Sequence, residues 1–314
     1  MERPVMWPSG DFRVTLIGSG TPVPNIERFA ACTLVEAGGR TLLIDAGRGA
    51  TMRLRQLDIP LSWVDPLLIT HYHSDHVAGL PDLWLTGWLP GAGGGRKTPF
   101  RVIAPRGARS LMDGLADAYS LDIRTRLADE KLPPEGIKTV VEEFDRDGIV
   151  YEEGGVRVTA FEVDHGDAIK PACGYRFDYG GHSAVVSGDT RYSENLIRHA
   201  HGADLLVHEV CHAQDPLLEE PIMRRVVAHH TSPRDAGRVF AQVRPKLAAY
   251  THIVLLGNST VPPPTLDDVV NQTRYTYDGP LVVGEDLMSF EIGSEIKVHR
   301  FDGRRAAVGR PLPR

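Results

Sequence analysis

Leu67-Leu68-Ile69-Thr70-His71-Tyr72-His73-Ser74-Asp75-His76 decides the reading of this chain, because three imidazoles and a carboxylate follow an apolar, strand-like run within six positions. Alternation along an extended segment predicts His71, His73 and Asp75 on one side, with a turn at Ser74-Asp75 swinging His76 beside them. Neutral imidazoles and a carboxylate are the donors zinc takes, and manganese or iron would suit the same set. A lone His or Asp is an ordinary surface or capping residue; HxHxDH behind a buried strand reads as a metal site. Neighbours this close in sequence rarely all reach one ion, so two ions are expected, with further ligands later in the chain. His165 in Val163-Asp164-His165-Gly166, Asp189 in Ser187-Gly188-Asp189-Thr190 and His252 in Tyr250-Thr251-His252-Ile253 are the candidates, each at the end of a predicted strand.

With these motifs in view, the chain resembles the metallo-β-lactamase superfamily, and within it the ribonuclease Z group with its arylsulfatase-like and phosphodiesterase relatives. The likeness starts at Leu16-Ile17-Gly18-Ser19-Gly20-Thr21-Pro22 and continues through Leu43-Ile44-Asp45-Ala46-Gly47 and the HxHxDH run with Val77-Ala78-Gly79-Leu80. It then takes in Gly188-Asp189-Thr190, His208-Glu209, His230-Thr231-Ser232-Pro233 and Thr251-His252. The resemblance implies that His71, His73 and His165 hold one zinc, that Asp75, His76 and His252 hold the second, and that Asp189 bridges. The chemistry agrees, since a bridging carboxylate needs a short side chain on a tight turn, which Gly188-Asp189 supplies. Asp45 is read as organising the loop behind the ligands. In the ribonuclease Z pattern a glutamate pairs with the histidine that protonates the departing oxygen; those roles fall on Glu209 and His230, with Asp75 as proton acceptor for the attacking water. His229 adjoins His230, and the motif frame favours His230.

Apolar runs predict strands at 12–18, 31–36, 40–45, 66–70, 100–104, 138–144, 156–164, 173–179, 182–187, 204–208, 247–251, 281–283, 287–292 and 296–300. Helices are predicted at 48–57, 77–89, 106–119, 216–228, 233–243 and 265–276. Two β-rich halves, each closing with helices, give an α/β chain with two mixed sheets face to face and helices outside, the αββα sandwich that the resemblance also implies. Residues 1–314 are expected to form one hydrolase domain. Trp84 and Trp88, at i, i+4 on one helix, are read as core packing, with a wall of the substrate pocket or a dimer surface as the sharper alternatives.

The formal charge of −6, from 35 basic and 41 acidic residues, argues against broad electrostatic capture of nucleic acid. Cys32, Cys173 and Cys211 are widely spaced without a CxxC pair and read as reduced, buried thiols. No window approaches the roughly eighteen apolar residues of a membrane span, and Met1–Pro8 lacks the apolar run of a signal peptide. A cytoplasmic location follows as the expectation; a periplasmic or secreted one would require a signal peptide removed beforehand.

Two zinc ions sharing a bridging hydroxide would make the chain a hydrolase. Only 23 residues separate His165 from Asp189, enough for two strands and a turn, so the long basic arm with which tRNA-processing enzymes of the group clamp tRNA has no place there. Small phosphodiesters, with aryl sulfates as a second class, are therefore the expected substrates, and tRNA is set aside. β-Lactam hydrolysis and tRNA 3′-processing stand as alternatives, and a non-catalytic metal-binding module as a remote one. A homodimer is suggested by the resemblance and the tryptophan face.

Overall fold

The computed structural model describes residues 12–91 and 93–302; Met1–Pro8 and Ala92 of the glycine-rich loop lie outside them. The chain runs β1 (Phe12–Gly18), β2 (Cys32–Ala37), β3 (Arg40–Ile44), α1 (Ala50–Gln56), β4 (Leu67–Leu68), α2 (Ser74–Val77), α3 (Leu80–Trp88), β5 (Phe100–Pro105), α4 (Ala108–Ala118), α5 (Ser120–Ala128), α6 (Pro134–Ile137) and β6 (Thr139–Phe144). It continues through β7 (Gly148–Glu153), β8 (Val156–Glu162), β9 (Cys173–Tyr179), β10 (His182–Val186), α7 (Glu194–Ala200), β11 (Leu205–Ala213), α8 (Pro221–Val227), α9 (Pro233–Val243), β12 (Leu247–Leu256), α10 (Leu266–Arg274), β13 (Leu281–Val283), β14 (Ser289–Ile292) and β15 (Ile296–His299).

Two sheets result, ordered β15-β14-β1-β2-β3-β4-β5-β6 and β13-β12-β11-β10-β9-β8-β7. Both are mixed: β3 to β6 and β10 to β13 run parallel, while the hairpins that begin each half are antiparallel. Strand alternation explains the layering. Phe12, Val14 and Leu16 of β1 point between the sheets, where they meet Val158, Phe177 and Val207 from the opposite sheet. Ile17 turns outward to a second core with Leu54 of α1 and Trp84 of α3, and on the far side Val239 and Phe240 of α9 pack over Leu206 and Ala248. Helices on both outer faces make the expected αββα sandwich.

Local chemistry sets the helix ends. Ser232 Oγ accepts from Asp235 N at 3.2 Å and Pro233 occupies the first turn, so α9 begins where the chain can least afford an unpaired donor. Thr265 and Asp268 form a reciprocal capping box on α10.

Several boundaries differ from expectation. The helix at 77–89 is two helices with Gly79 between them, and the second breaks off at Leu89 before Pro90. The helix at 216–228 is a 3-10 turn at Asp215–Glu219 followed by α8, divided at Glu220-Pro221. β11 and β12 run on past Glu209 and His252, which therefore lie within strands rather than at their ends. Four further elements, α5, α6, α7 and β7, were not anticipated. α5 buries no residue fully and turns only Ile123 and Leu127 to the core, too short a stripe for periodicity to detect. β7 buries Tyr151 and half-buries Val150 but has no clean alternation, and α7 is announced only by Ser193, whose Oγ caps Leu196 N at 3.2 Å.

Trp84 and Trp88 are each 1% exposed, with their indole nitrogens donating to the carbonyls of Ile137 and Pro133. They are core residues tying α3 to α6, and neither a pocket wall nor a free surface for a second copy. The three cysteines are buried and unbonded to one another.

Candidate metal centre

The ligand segment is held from behind by Asp45. This residue adopts φ 58, a left-handed conformation that Asp tolerates better than most side chains. Its carboxylate accepts from Thr70 N at 2.8 Å, from Thr70 Oγ1 at 2.7 Å and from His76 Nδ1 at 2.7 Å. With Nδ1 donating to Asp45, His76 presents Nε2 to the pocket. Thr70 Oγ1 also lies 3.0 Å from His71 Nδ1. Sequence reading missed Thr70, which no motif frame marks beyond its place before His71.

Extended alternation holds only as far as His73. His73 is the N-cap of α2, so Asp75 enters the pocket from a helical turn rather than from the same strand face as His71 and His73. The turn separates the run into two groups. His71 and His73 meet His165 and Asp189, while Asp75 and His76 meet His252, with the donor atoms of each group within 4.8 Å of one another.

The other half of the sandwich supplies the remaining side chains by three different devices. Gly188 has φ +62, and a Cβ there would stand 2.5 Å from Cys173 O, so only glycine lets the chain turn into Asp189. His165 is oriented by its Nδ1, 2.8 Å from the carbonyl of His229, which leaves Nε2 as the lone-pair nitrogen. His252 is the residue left out where the ladder pairs Glu209 with Thr251 and then Val210 with Ile253. Its φ of 43 belongs to this bulge, which re-aims the imidazole at a cost of about 1–3 kcal/mol.

Asp189 Oδ2 is the focus. It lies 3.3 Å from His76 Nε2, 3.3 Å from His252 Nε2, 3.7 Å from His165 Nε2 and 3.8 Å from His71 Nε2. Asp75 Oδ2 is 3.1 Å from His252 Nε2 and 3.6 Å from His76 Nε2, and His165 Nε2 is 3.2 Å from His73 Nδ1. Tetrahedral zinc with bonds of about 2.0–2.1 Å spaces its donors about 3.3 Å apart, and these separations fall around that value. Nε2 of His71 and of His76 are buried without a hydrogen-bond partner. Buried nitrogens left in this way, facing a carboxylate they do not bond, fit a cation between them.

Electrostatics divide the imidazoles. Burial, reinforced by the neighbouring imidazoles, holds His71 well below the usual imidazole range, and burial takes His165 down to about 4, so both are neutral at pH 7, as metal-binding imidazoles must be, whereas Asp189 and Asp45 hold His76 well above that range against its burial. Burial alone would raise Asp189, but the charges of His252 and His76 outweigh it and hold the carboxyl well below its ordinary value. Asp75 is lowered in the same way, against its burial, chiefly by the His252 hydrogen bond.

Beside this cluster stands the second expected pair. Glu209 is fully buried; its Oε1 accepts from Thr190 N, Thr231 N and His230 Nδ1, each at 3.1 Å. Burial disfavours charge on His230, yet Glu209, by charge and hydrogen bond, pushes it up to about 9, with Asp189 and Asp75 contributing. The His230 ring lies 5.1 Å from that of His165 and stacks 5.6 Å from that of His252. His208 is not part of the cluster: it is buried against Phe240, with Nδ1 at 2.6 Å from Glu209 O. Thus all seven anticipated ligands and the Glu209–His230 pair converge at one mouth, where His73 is the exposed member.

Known proteins share this arrangement of elements. The family model described as "Beta-lactamase superfamily domain" matches residues 40–253. Ribonuclease Z of Mycolicibacterium gilvum is 32% identical over 284 residues, covering 89% of this chain and 96% of the relative. Ribonuclease Z of Mycobacterium marinum is 33% identical over 246 residues, covering 77% and 86%. Among solved structures, the metallo-β-lactamase fold protein YhfI of Bacillus subtilis superposes with a TM-score of 0.68 at 19% identity over 90% of this chain and 99% of its own. The short form of human tRNase Z superposes with a TM-score of 0.65 at 21% identity, covering 88% and 98%. A two-sheet sandwich with His and Asp donors gathered at one mouth, matched along nearly its whole length, places the chain in the metallo-β-lactamase superfamily, within its ribonuclease Z-like group of hydrolases.

Proposed function

We propose that this protein is a dinuclear zinc hydrolase of small phosphodiesters, with aryl sulfates as a second substrate class. The observation that carries the reading is Asp189 Oδ2 facing four imidazoles at 3.3–3.8 Å, with the Glu209–His230 pair beside them. His71, His73 and His165 would hold one ion, Asp75, His76 and His252 the other, and Asp189 would bridge. Bound there, two ions would supply a water activated near neutral pH and neutralisation of negative oxygens on a phosphoryl or sulfuryl group. Asp75 accepts the proton of the attacking water. His230, with Nδ1 directed at Glu209, presents Nε2 to the departing oxygen and protonates it. Glu209 keeps that imidazole charged and oriented, and the backbone N–H groups of Thr190 and Thr231 fix the carboxylate in turn.

The stretch from His165 to Asp189 supports a small substrate. It is taken up by β9 and β10, joined at Gly180-Gly181, and carries no arm. A second reading, cleavage of precursor tRNA at its 3′ end, is favoured by the identity to proteins named Ribonuclease Z, which weighs against setting tRNA aside. Parallel turnover of the zinc-loaded protein with bis(p-nitrophenyl) phosphate, p-nitrophenyl sulfate, a chromogenic cephalosporin and a precursor tRNA separates these. The phosphodiester is expected to dominate; faster tRNA or cephalosporin turnover would replace the substrate assignment, and no turnover at all would leave only a metal-binding module. Among the described residues no helix is long and apolar enough to cross a membrane.

A further inference from the structure

The outer face of the eight-stranded sheet turns polar where β1 begins. Arg13 of β1 stands directly opposite Glu36 of β2 on one side and Glu291 of β14 on the other. Two carboxylates so placed compete for one guanidinium, and Glu291 holds it. Arg13 Nη2 lies 2.9 Å from Glu291 Oε1, and His299 Nε2 lies 3.0 Å from Glu291 Oε2. Glu36 keeps only the longer-range attraction of Arg13, and its carboxylate makes no hydrogen bond or ion pair among the described residues. One row along, Thr15 and Ser289 face each other across β1 and β14, and neither hydroxyl has a hydrogen-bond partner among the described residues.

Glu36, Thr15 and Ser289 line one cavity of about 370 Å³, closed by Leu57 and Ile59 beyond the end of α1, by Leu287 and by Phe301. Its volume is in the range of small-molecule pockets. None of the seven metal donors lines it, nor does Glu209 or His230. Arg300, the second guanidinium in the wall, lies 3.6 Å from Glu285, so both arginines are answered by carboxylates outside the cavity. Burial holds the Glu36 carboxyl above its ordinary range, although Arg13 draws it down. A partly buried carboxylate without a hydrogen-bond partner costs free energy until a donor meets it. A bare metal ion would leave the apolar walls uncovered, whereas a planar guanidinium matches a carboxylate with two parallel hydrogen bonds and brings a carbon chain to cover them.

We propose that this cavity is a binding site for a small organic cation, a guanidinium or ammonium on a short apolar chain. Glu36 meets its charge, the Thr15 and Ser289 hydroxyls accept from its remaining donors, and Leu57, Ile59, Leu287 and Phe301 pack on the chain. The site is separate from the metal centre and does not depend on which ester the protein cleaves.

The test is calorimetric titration of the zinc-loaded protein with n-butylguanidinium and with its uncharged counterpart n-butylurea, repeated in the presence of magnesium chloride. A protonated guanidinium has no lone pair to offer zinc, so ligation at the metal centre does not enter the signal. The wild type is expected to bind the cation about tenfold more tightly than the urea, with magnesium failing to displace it. Glu36→Gln should weaken the cation by about tenfold and leave the urea and the zinc content unchanged, and Thr15→Val should weaken both compounds by about threefold. Because the Glu36 carboxyl is raised in the fold, its stabilisation is lost as pH rises past the ordinary carboxylate value, so at pH 7 the ligand-free Glu36→Gln protein should melt no lower than the wild type. A lower melting temperature would show that the carboxylate already has a partner, and would overturn the proposal. So would equal binding of cation and urea, cation binding untouched by Glu36→Gln, displacement by magnesium, or no binding by the wild type.

Discussion

The parallel strands β10, β11 and β12 handle charge in opposite ways along their length. Where they begin, Asp204 accepts from Ser183 N at 2.7 Å and Lys246 Nζ at 2.7 Å, with His182 Nδ1 at 3.4 Å, and Lys246 also donates to the carbonyls of Gly293 and Ser294. Each of these charges is answered from within the chain. Farther along, Glu209 Oε2 on β11 and His252 Nδ1 on β12, and His71 Nε2 and His76 Nε2 that follow β4 of the other sheet, are buried without hydrogen-bond partners. The open imidazole nitrogens at that end fit a cation that would complete them. Sites at the carboxyl ends of parallel strands are a general feature of mixed α/β architectures.

Substitutions can break that contrast. Asp189→Asn keeps the shape but removes the charge shared by four imidazoles. It is expected to lower zinc to one ion or fewer per chain and turnover by about 10³-fold, read by metal analysis and kinetics. The matching change at the other end, Asp204→Asn, should leave both quantities as in the wild type. His230→Ala comes next, with a loss of about 10²–10³-fold in kcat at unchanged zinc content. That loss should shrink for p-nitrophenolate, which leaves without a proton, and grow for an alkyl alcohol; an equal loss for both would remove His230 from the role of acid.

Glu209→Gln sharpens the same point through pH. The carboxylate pushes His230 up to about 9 against its burial, so the neutral amide lets the imidazole lose its proton at lower pH. The alkaline limb of the rate profile should therefore move to lower pH, with about a tenfold loss at pH 8. An unmoved limb would show that the pair does not carry the proton.

The smallest effect belongs to the saturated end. Asp204→Asn should cost about 1–3 kcal/mol in urea melts at pH 7. Burial opposes ionisation of Asp204, but Lys246 and Ser183 N outweigh it and hold the carboxyl below its ordinary value. Its stabilisation is thus present above the unfolded value of about 3.9 and fades as pH falls through the lowered folded one. The gap between variant and wild type should close on acidification, and a gap that widened would reverse the sign of the argument.

How much of this was legible in the sequence depended on how local each signal was. The HxHxDH run and Gly188-Asp189 announce themselves because four donors, or a turn and a carboxylate, sit within a few residues. The bulge at His252 was not legible, since it exists only where β11 and β12 pair with one residue to spare. Nor was the helical entry of Asp75, because period-2 alternation and a cap at His73 compete over only four residues. α5 and β7 escaped because each turns only two apolar side chains to the core, Ile123 and Leu127 or Val150 and Tyr151, too few to set a period. The tryptophan pair could be placed only once α6 was seen to cover it.

Zinc content per chain, measured after loading and gel filtration for the wild type and for His252→Ala, tests the central claim most directly. The account predicts two ions in the wild type and one in the variant, because His252 completes the Asp75–His76 group, and lies with Asp189 and His230, but is no part of the group of His71, His73 and His165. One ion or none in the wild type, or two retained by the variant, would contradict it.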